Sequence, residues 1–119
     1  MQAIEPPPRL LWHCEYWDGP LSGIALHEGR KVWFWCADDV QEHRLFHVFP
    51  LTDEEIAEED RWHALFCEHV GTHTDYDEEG RRDVTAIRPH SEWNKFYDAA
   101  KDRPPRTYHE REAIGYFVM

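Results

Sequence analysis

Turn residues recur at short intervals between positions 9 and 50 and cut that stretch into segments of strand length. The breaks are Asp18-Gly19-Pro20, Glu28-Gly29-Arg30, Asp38-Asp39 and Pro50. Asp-Gly and Glu-Gly pairs tolerate the positive φ of tight turns, and proline ends a hydrogen-bonded ladder. Between the breaks apolar side chains alternate, the period of a strand. Residues 9–17 offer Leu10, Trp12, Cys14 and Tyr16 to one side and Leu11, His13, Glu15 and Trp17 to the other. A second strand is expected over 23–27, a third over 31–37 and a fourth over 44–50. The third is apolar on both faces, with Val32, Phe34 and Cys36 opposed to Trp33 and Trp35. Such a strand is central or has a helix over one face.

The period then changes. Thr52-Asp53-Glu54-Glu55 is a capping box, in which the threonine oxygen accepts from the third backbone amide and the glutamate reaches back. Three acidic residues in the first turn also suit the helix dipole. The spacing predicts a long helix over 53–70, ended by Gly71. Residues 73–83 are polar and turn-like, and 84–87 read as a short strand. Ser91 is expected to cap a second helix over 92–100, with Trp93, Phe96 and Tyr97 on one stripe. A last strand is expected over 113–118.

Strands followed by helices favour α+β, here an antiparallel meander of about four to five strands packed against one long and one shorter helix. The face bearing Trp33 and Trp35, or Phe34 and its neighbours, is the one the long helix is expected to cover. The 119 residues are read as a single domain, 1–119, with 1–8 a proline-rich arm that orders only where it lies on the body. Six tryptophans supply much of the area that a domain this small needs to bury.

The net charge of −11 is unevenly spread. Residues 1–60 hold 13 acidic and 4 basic side chains, a net of −9, and residues 61–119 hold 11 and 9, a net of −2. That balance repels phosphate backbones, so direct nucleic acid binding is not expected, and it attracts basic proteins. Cys14, Cys36 and Cys67 form no CxxC pair, which favours a reducing compartment over a disulfide framework. No apolar run reaches the roughly 20 residues a membrane-spanning helix needs. The opening MQAIEPPPRLLWH lacks the basic and apolar regions of a secretory leader, so the expected location is cytoplasmic.

Three places carry chemistry. On the long helix Glu59, His63 and Cys67 fall in one line at i, i+4, i+8, a set that binds zinc or activates a thiolate if sheet residues such as His27, His47 or Cys36 complete it. The plain alternative is a core histidine beside a cysteine acting as a small hydrophobe. His69 and His73 share the i, i+4 spacing, but Gly71 lies between them. Asp75-Tyr76-Asp77-Glu78-Glu79-Gly80 has the front of a calcium loop, yet position 12 is Ala86 rather than glutamate, so a solvated acidic turn is the better reading. Finally, residues 18–23 read as a six-residue loop with two glycines, beside which Trp17, Trp33 and Trp35 with Asp18 and Ser22 would make an aromatic-walled ligand pocket, the plain alternative being turn chemistry plus core aromatics. No phosphate-cradling loop or nucleophile elbow is present, and Ser22 and Ser91 are the chain's two serines.

The leading expectation is therefore an acidic interaction protein that binds, and inhibits, a basic macromolecular partner, as immunity, antitoxin and anti-defence proteins do. Its partner surface would be Asp53, Glu54, Glu55, Glu58 and Glu59. The alternatives are a small-molecule binder using the aromatic pocket near residues 17–35, and a metal-dependent or thiol enzyme built on Glu59, His63 and Cys67. No cofactor is required by the first reading; zinc enters only with the third.

Overall fold

A computed structural model describes residues 1–40 and 42–119. It is an α+β fold with a six-stranded, mostly antiparallel sheet and two helices. The strands are β1 (Gln2–Ala3), β2 (Arg9–Tyr16), β3 (Pro20–His27), β4 (Arg30–Val40), β5 (His43–Phe49) and β6 (Gly115–Val118). Their order is β1-β6-β5-β4-β3-β2, and only β1 runs parallel to its neighbour. The chain gathers into two compact units, Met1–Leu51 with Thr107–Met119, and Thr52–Arg106. Since β5 and β6 are hydrogen-bonded neighbours, the whole of Thr52–Arg106 is a connection between adjacent strands.

In the sheet unit the meander β2–β5 forms as the alternation predicts, with three corrections. The first is an added edge strand, β1, from the arm. Ile4 donates its N–H to the Tyr116 carbonyl at 2.8 Å and packs against the core. Two residues are too few to show a period. The second is the β2–β3 connection, which is three residues long rather than six. Tyr16 pairs with Pro20, and Asp18 and Gly19 turn the chain with φ of 50° and 131°. Pro20 is accommodated because it is the first residue of its strand. The third is β4, which continues through Asp38 and Asp39 to Val40 by way of a bulge between Cys36 and Asp38. A bulge lets a strand absorb an irregular residue without ending.

Ala25, Val32, Phe34, Phe46, Val48 and Phe117 form the core of this unit. Phe46 stacks on Phe117 at 5.0 Å and meets Phe34 edge-on at 5.8 Å. On the other face Trp33 packs edge-on against Tyr108 at 5.4 Å and Trp35 stacks on His109 at 4.9 Å. Both partners belong to a 3-10 turn, Tyr108–Glu110, to which the sequence gives no periodic signal.

In the second unit α1 spans Asp53–His69 and begins with both bonds of the capping box between Thr52 and Glu55. Val70 caps it, and Gly71 leaves the helix at φ 130°. The helix α2 spans His90–Ala100. Pro89, not Ser91, is its N-cap, with φ −60° and the extended ψ of 145° that a cap residue adopts, and Ser91 falls inside the first turn. Trp93 then donates its indole N–H to the Arg88 carbonyl at 2.9 Å. The two helices meet through Phe96, edge-on to Trp62 at 6.1 Å and to Phe66 at 5.2 Å. Residues 84–87 form no strand, because Asp83 takes both the N–H and the hydroxyl of Thr85 into a local turn. No helix of the described residues is long and apolar enough to cross a membrane.

Candidate functional site: a tryptophan-walled cleft and a His-Cys-Asp cluster

The five residues expected to share one pocket are parted by the sheet. Trp33 is 2% exposed and belongs to the core. Ser22 sits inside β3, buried opposite Trp35, and donates to the Glu15 carboxylate at 3.3 Å. Trp35 lines a shallow cleft of about 370 Å³ with Glu15, Leu21, Cys36 and Asp38. Trp17 and Asp18 line a different one of about 400 Å³, with Asp39, Glu42, Arg44 and Phe46.

The second cleft has a built floor. Arg44 is mostly buried; its Nη2 donates to the Trp17 carbonyl, and its Nε lies 3.5 Å from Asp39 Oδ2. The short turn thus presents Trp17 outward, 73% exposed, while Arg44 holds the turn from beneath. Arg44 neutralises Asp39, and Asp18 and Glu42 form no ion pair among the described residues, so the cleft is left with two uncompensated carboxylates. Sequence reasoning found Trp17 and Asp18 but missed Arg44 and Glu42, since a hairpin register decides which residues reach the β2–β3 turn.

The helix line behaves as predicted in one half only. Cys67 Sγ lies 3.4 Å from His63 Nε2, one helical turn apart. Glu59 does not join them. It is 2% exposed and its carboxylate is taken by Arg103 and Arg106. The third group is Asp75, whose Oδ2 lies 3.1 Å from the same His63 nitrogen. The three ligand atoms all fall within 4.8 Å of one another. None of His27, His47 and Cys36 belongs to this set. Asp75 comes from the acidic turn: Tyr76 bridges to Arg82, and Asp77 Oδ1 accepts from the amides of Glu79 and Arg81. Asp75 itself is oriented by its amide on the Thr72 carbonyl and by the Thr74 hydroxyl on its Oδ1.

Cys67 Sγ and Asp75 Oδ2 both address His63 Nε2, whereas the contacts of a Cys–His–Asp relay fall on opposite ring nitrogens. Burial, and next the Asp75 charge, push the Cys67 thiol up to about 11, so it is neutral at pH 7. His73 does not pair with His69: its ring lies between Phe66 and Trp93, and burial pushes its imidazole below the ordinary histidine range.

The expected partner surface loses a member as well. Asp53 and Glu54 are exposed at the start of α1, and Glu55 is engaged in the capping box. Glu58 accepts from Arg61 and Trp62, and Glu59 is internal. Comparison with protein-family models, with curated proteins and with solved structures gives no match to this chain.

Proposed function

We propose that this chain is a small acidic binding protein whose partner is a basic protein segment, received by the Trp17 cleft through a lysine or arginine side chain. The observation that carries this reading is the pair of uncompensated carboxylates, Asp18 and Glu42, beside an outward-facing indole. A cation gains from the face of tryptophan and from both carboxylates at once. Arg44 is already bound to Asp39 and the Trp17 carbonyl, so the wall is formed before the ligand arrives. Acidity elsewhere adds long-range attraction: Thr52–Arg106 holds 15 acidic and 8 basic residues, a net of −7, and the remaining chain a net of −4.

The test is fluorescence anisotropy of labelled lysine- and arginine-rich peptides, with glutamate-substituted peptides as controls. Saturable binding that falls at least tenfold in Asp18→Asn/Glu42→Gln and in Trp17→Ala is the expected result. Equal affinity in those variants, or no saturation below millimolar peptide, overturns the reading. Competition by free arginine amide, at the peptide's own affinity, would transfer the cleft to a small cationic ligand instead.

A further inference from the structure

We propose that His63, Cys67 and Asp75 hold a divalent metal ion of the zinc class, with His63 Nε2, Cys67 Sγ and Asp75 Oδ2 as its protein ligands. Two arguments, both drawn from the contacts at His63 Nε2, carry it.

The first is spacing. Zinc bonds of about 2.0–2.3 Å at tetrahedral angles place neighbouring ligand atoms about 3.3–3.6 Å apart. The imidazole nitrogen lies 3.4 Å from the sulfur and 3.1 Å from the carboxylate oxygen, two edges within a few tenths of an ångström of those values, and the third, sulfur to carboxylate, is within 4.8 Å. Mixed nitrogen, sulfur and oxygen donors suit zinc or cobalt(II) and do not suit calcium or magnesium, which prefer oxygen alone.

The second is a hydrogen-bond conflict. Nε2 of a neutral imidazole carries either one proton or one lone pair. If it donates to Asp75, the Cys67 S–H has no acceptor there. If it accepts from Cys67, its lone pair faces the carboxylate. An ion at the centre removes the conflict, because all three atoms then act as electron-pair donors. Binding breaks the Cys67 S–H bond and releases its proton to the buffer, and the sulfur lone pair goes to the metal.

The scaffold supports this. His63 and Cys67 are fixed by one turn of α1. Asp75 is fixed by Thr72 and Thr74, the kind of outer-shell partners that orient a metal's ligands. Three protein ligands leave a fourth position for water or another donor.

Cobalt(II) titration of the chelator-stripped chain tests the proposal. The expected result is one ion per chain, with tetrahedral visible bands and a near-ultraviolet thiolate charge-transfer band. Cys67→Ser should abolish the charge-transfer band, and His63→Ala and Asp75→Asn should each weaken binding at least tenfold. Where a variant loses its circular dichroism, the unmodified chain decides: zinc should protect Cys67 from alkylation at least tenfold while leaving the exposed Cys14 reactive. Failure to take up stoichiometric cobalt, or uptake that leaves Cys67 unprotected, overturns the site.

Discussion

Arg106 meets Glu59 from 47 positions further along the chain, its Nε 3.0 and 3.1 Å from the two carboxylate oxygens and its Nη2 2.9 Å from one of them. Arg103 binds the same carboxylate, so one buried anion holds two guanidinium groups and ties the end of the Thr52–Arg106 unit to its long helix. Removing one member of a buried ion cluster leaves the others uncompensated, which typically costs about 3–5 kcal/mol. Arg103 and Arg106 remain 16% and 28% exposed and can rehydrate in part, so Glu59→Ala should fall at the lower end, about 3 kcal/mol. Urea denaturation measures it. A loss below about 0.5 kcal/mol, the usual range of a surface substitution, would show that the cluster does not tie this unit together.

The same residue shows where sequence reading reaches its limit. Periodicity puts Glu59 in line with His63 and Cys67, and its side chain is indeed buried, but its partners lie at 103 and 106, beyond any local rule. The meander was legible because alternation and turn residues are local, and the capping box at Thr52 because it is a local hydrogen-bond pattern. The His63–Cys67 pair was legible for the same reason, as i, i+4 neighbours. Asp75 was not, since only the turn at Gly71 and the path of the chain after it decide which carboxylate returns to the helix. The Trp17 cleft was half legible: Trp17 and Asp18 mark the turn, while Arg44 and Glu42 arrive through the β4–β5 pairing. Ser22 and Pro20 misled because both suit loops, and here the ladder outweighs that preference.

Gly71 should be among the least replaceable residues of the second unit. A Cβ there would lie 2.2 Å from the Ala86 carbonyl oxygen and 2.7 Å from the Ile87 Cα, both backbone atoms that cannot swing aside. Its φ of 130° is also unfavourable to any side chain. Arg88 donates its N–H to the Val70 carbonyl at 2.8 Å, so the returning chain is held against the helix end at this point. Gly71→Ala should therefore lose about 2 kcal/mol or more of stability. Hydrogen exchange should quicken first in the last turn of α1 and in residues 84–88. Unchanged exchange in both segments would show that the close approach can open without consequence.

Gly23 plays the corresponding part in the sheet. An added Cβ would come within 2.2 Å of the Trp12 carbonyl oxygen and 2.7 Å of the His13 Cα. The backbone that glycine admits is that of β2, at the irregular register around His13 and Gly23, and not that of a ligand. Gly23→Ala should lower thermal stability by several degrees, since about 1 kcal/mol moves the midpoint of a domain this size by roughly 4–8 °C. Gly29 is the control. It sits at φ 75° in the β3–β4 turn with nothing near its Cβ position, so Gly29→Asn should change the midpoint by no more than a few degrees. Equal effects from the two substitutions would contradict the close-approach account.

Glu58 gives a pH signature whose sign follows from its partners. Arg61 donates to its carboxylate, with Nη2 at 2.8 Å, and Trp62 donates its indole N–H at 2.8 Å. The Arg61 hydrogen bond first, and that of Trp62 next, hold the carboxyl below the ordinary 4.5. A carboxylate that binds protons less readily when folded contributes its stabilisation in full above the unfolded value and loses it as pH falls through the lower, folded value. The Trp62 indole N–H resonance should therefore hold its position from neutral pH to about 4.5 and shift only at lower pH, in step with the Glu58 carboxyl carbon. In Glu58→Gln the acid shift of the Trp62 resonance should vanish, and stability below about pH 4.5 should decline less steeply than in the parent chain. A Trp62 resonance that titrates unchanged in Glu58→Gln would assign the acid response to another carboxylate.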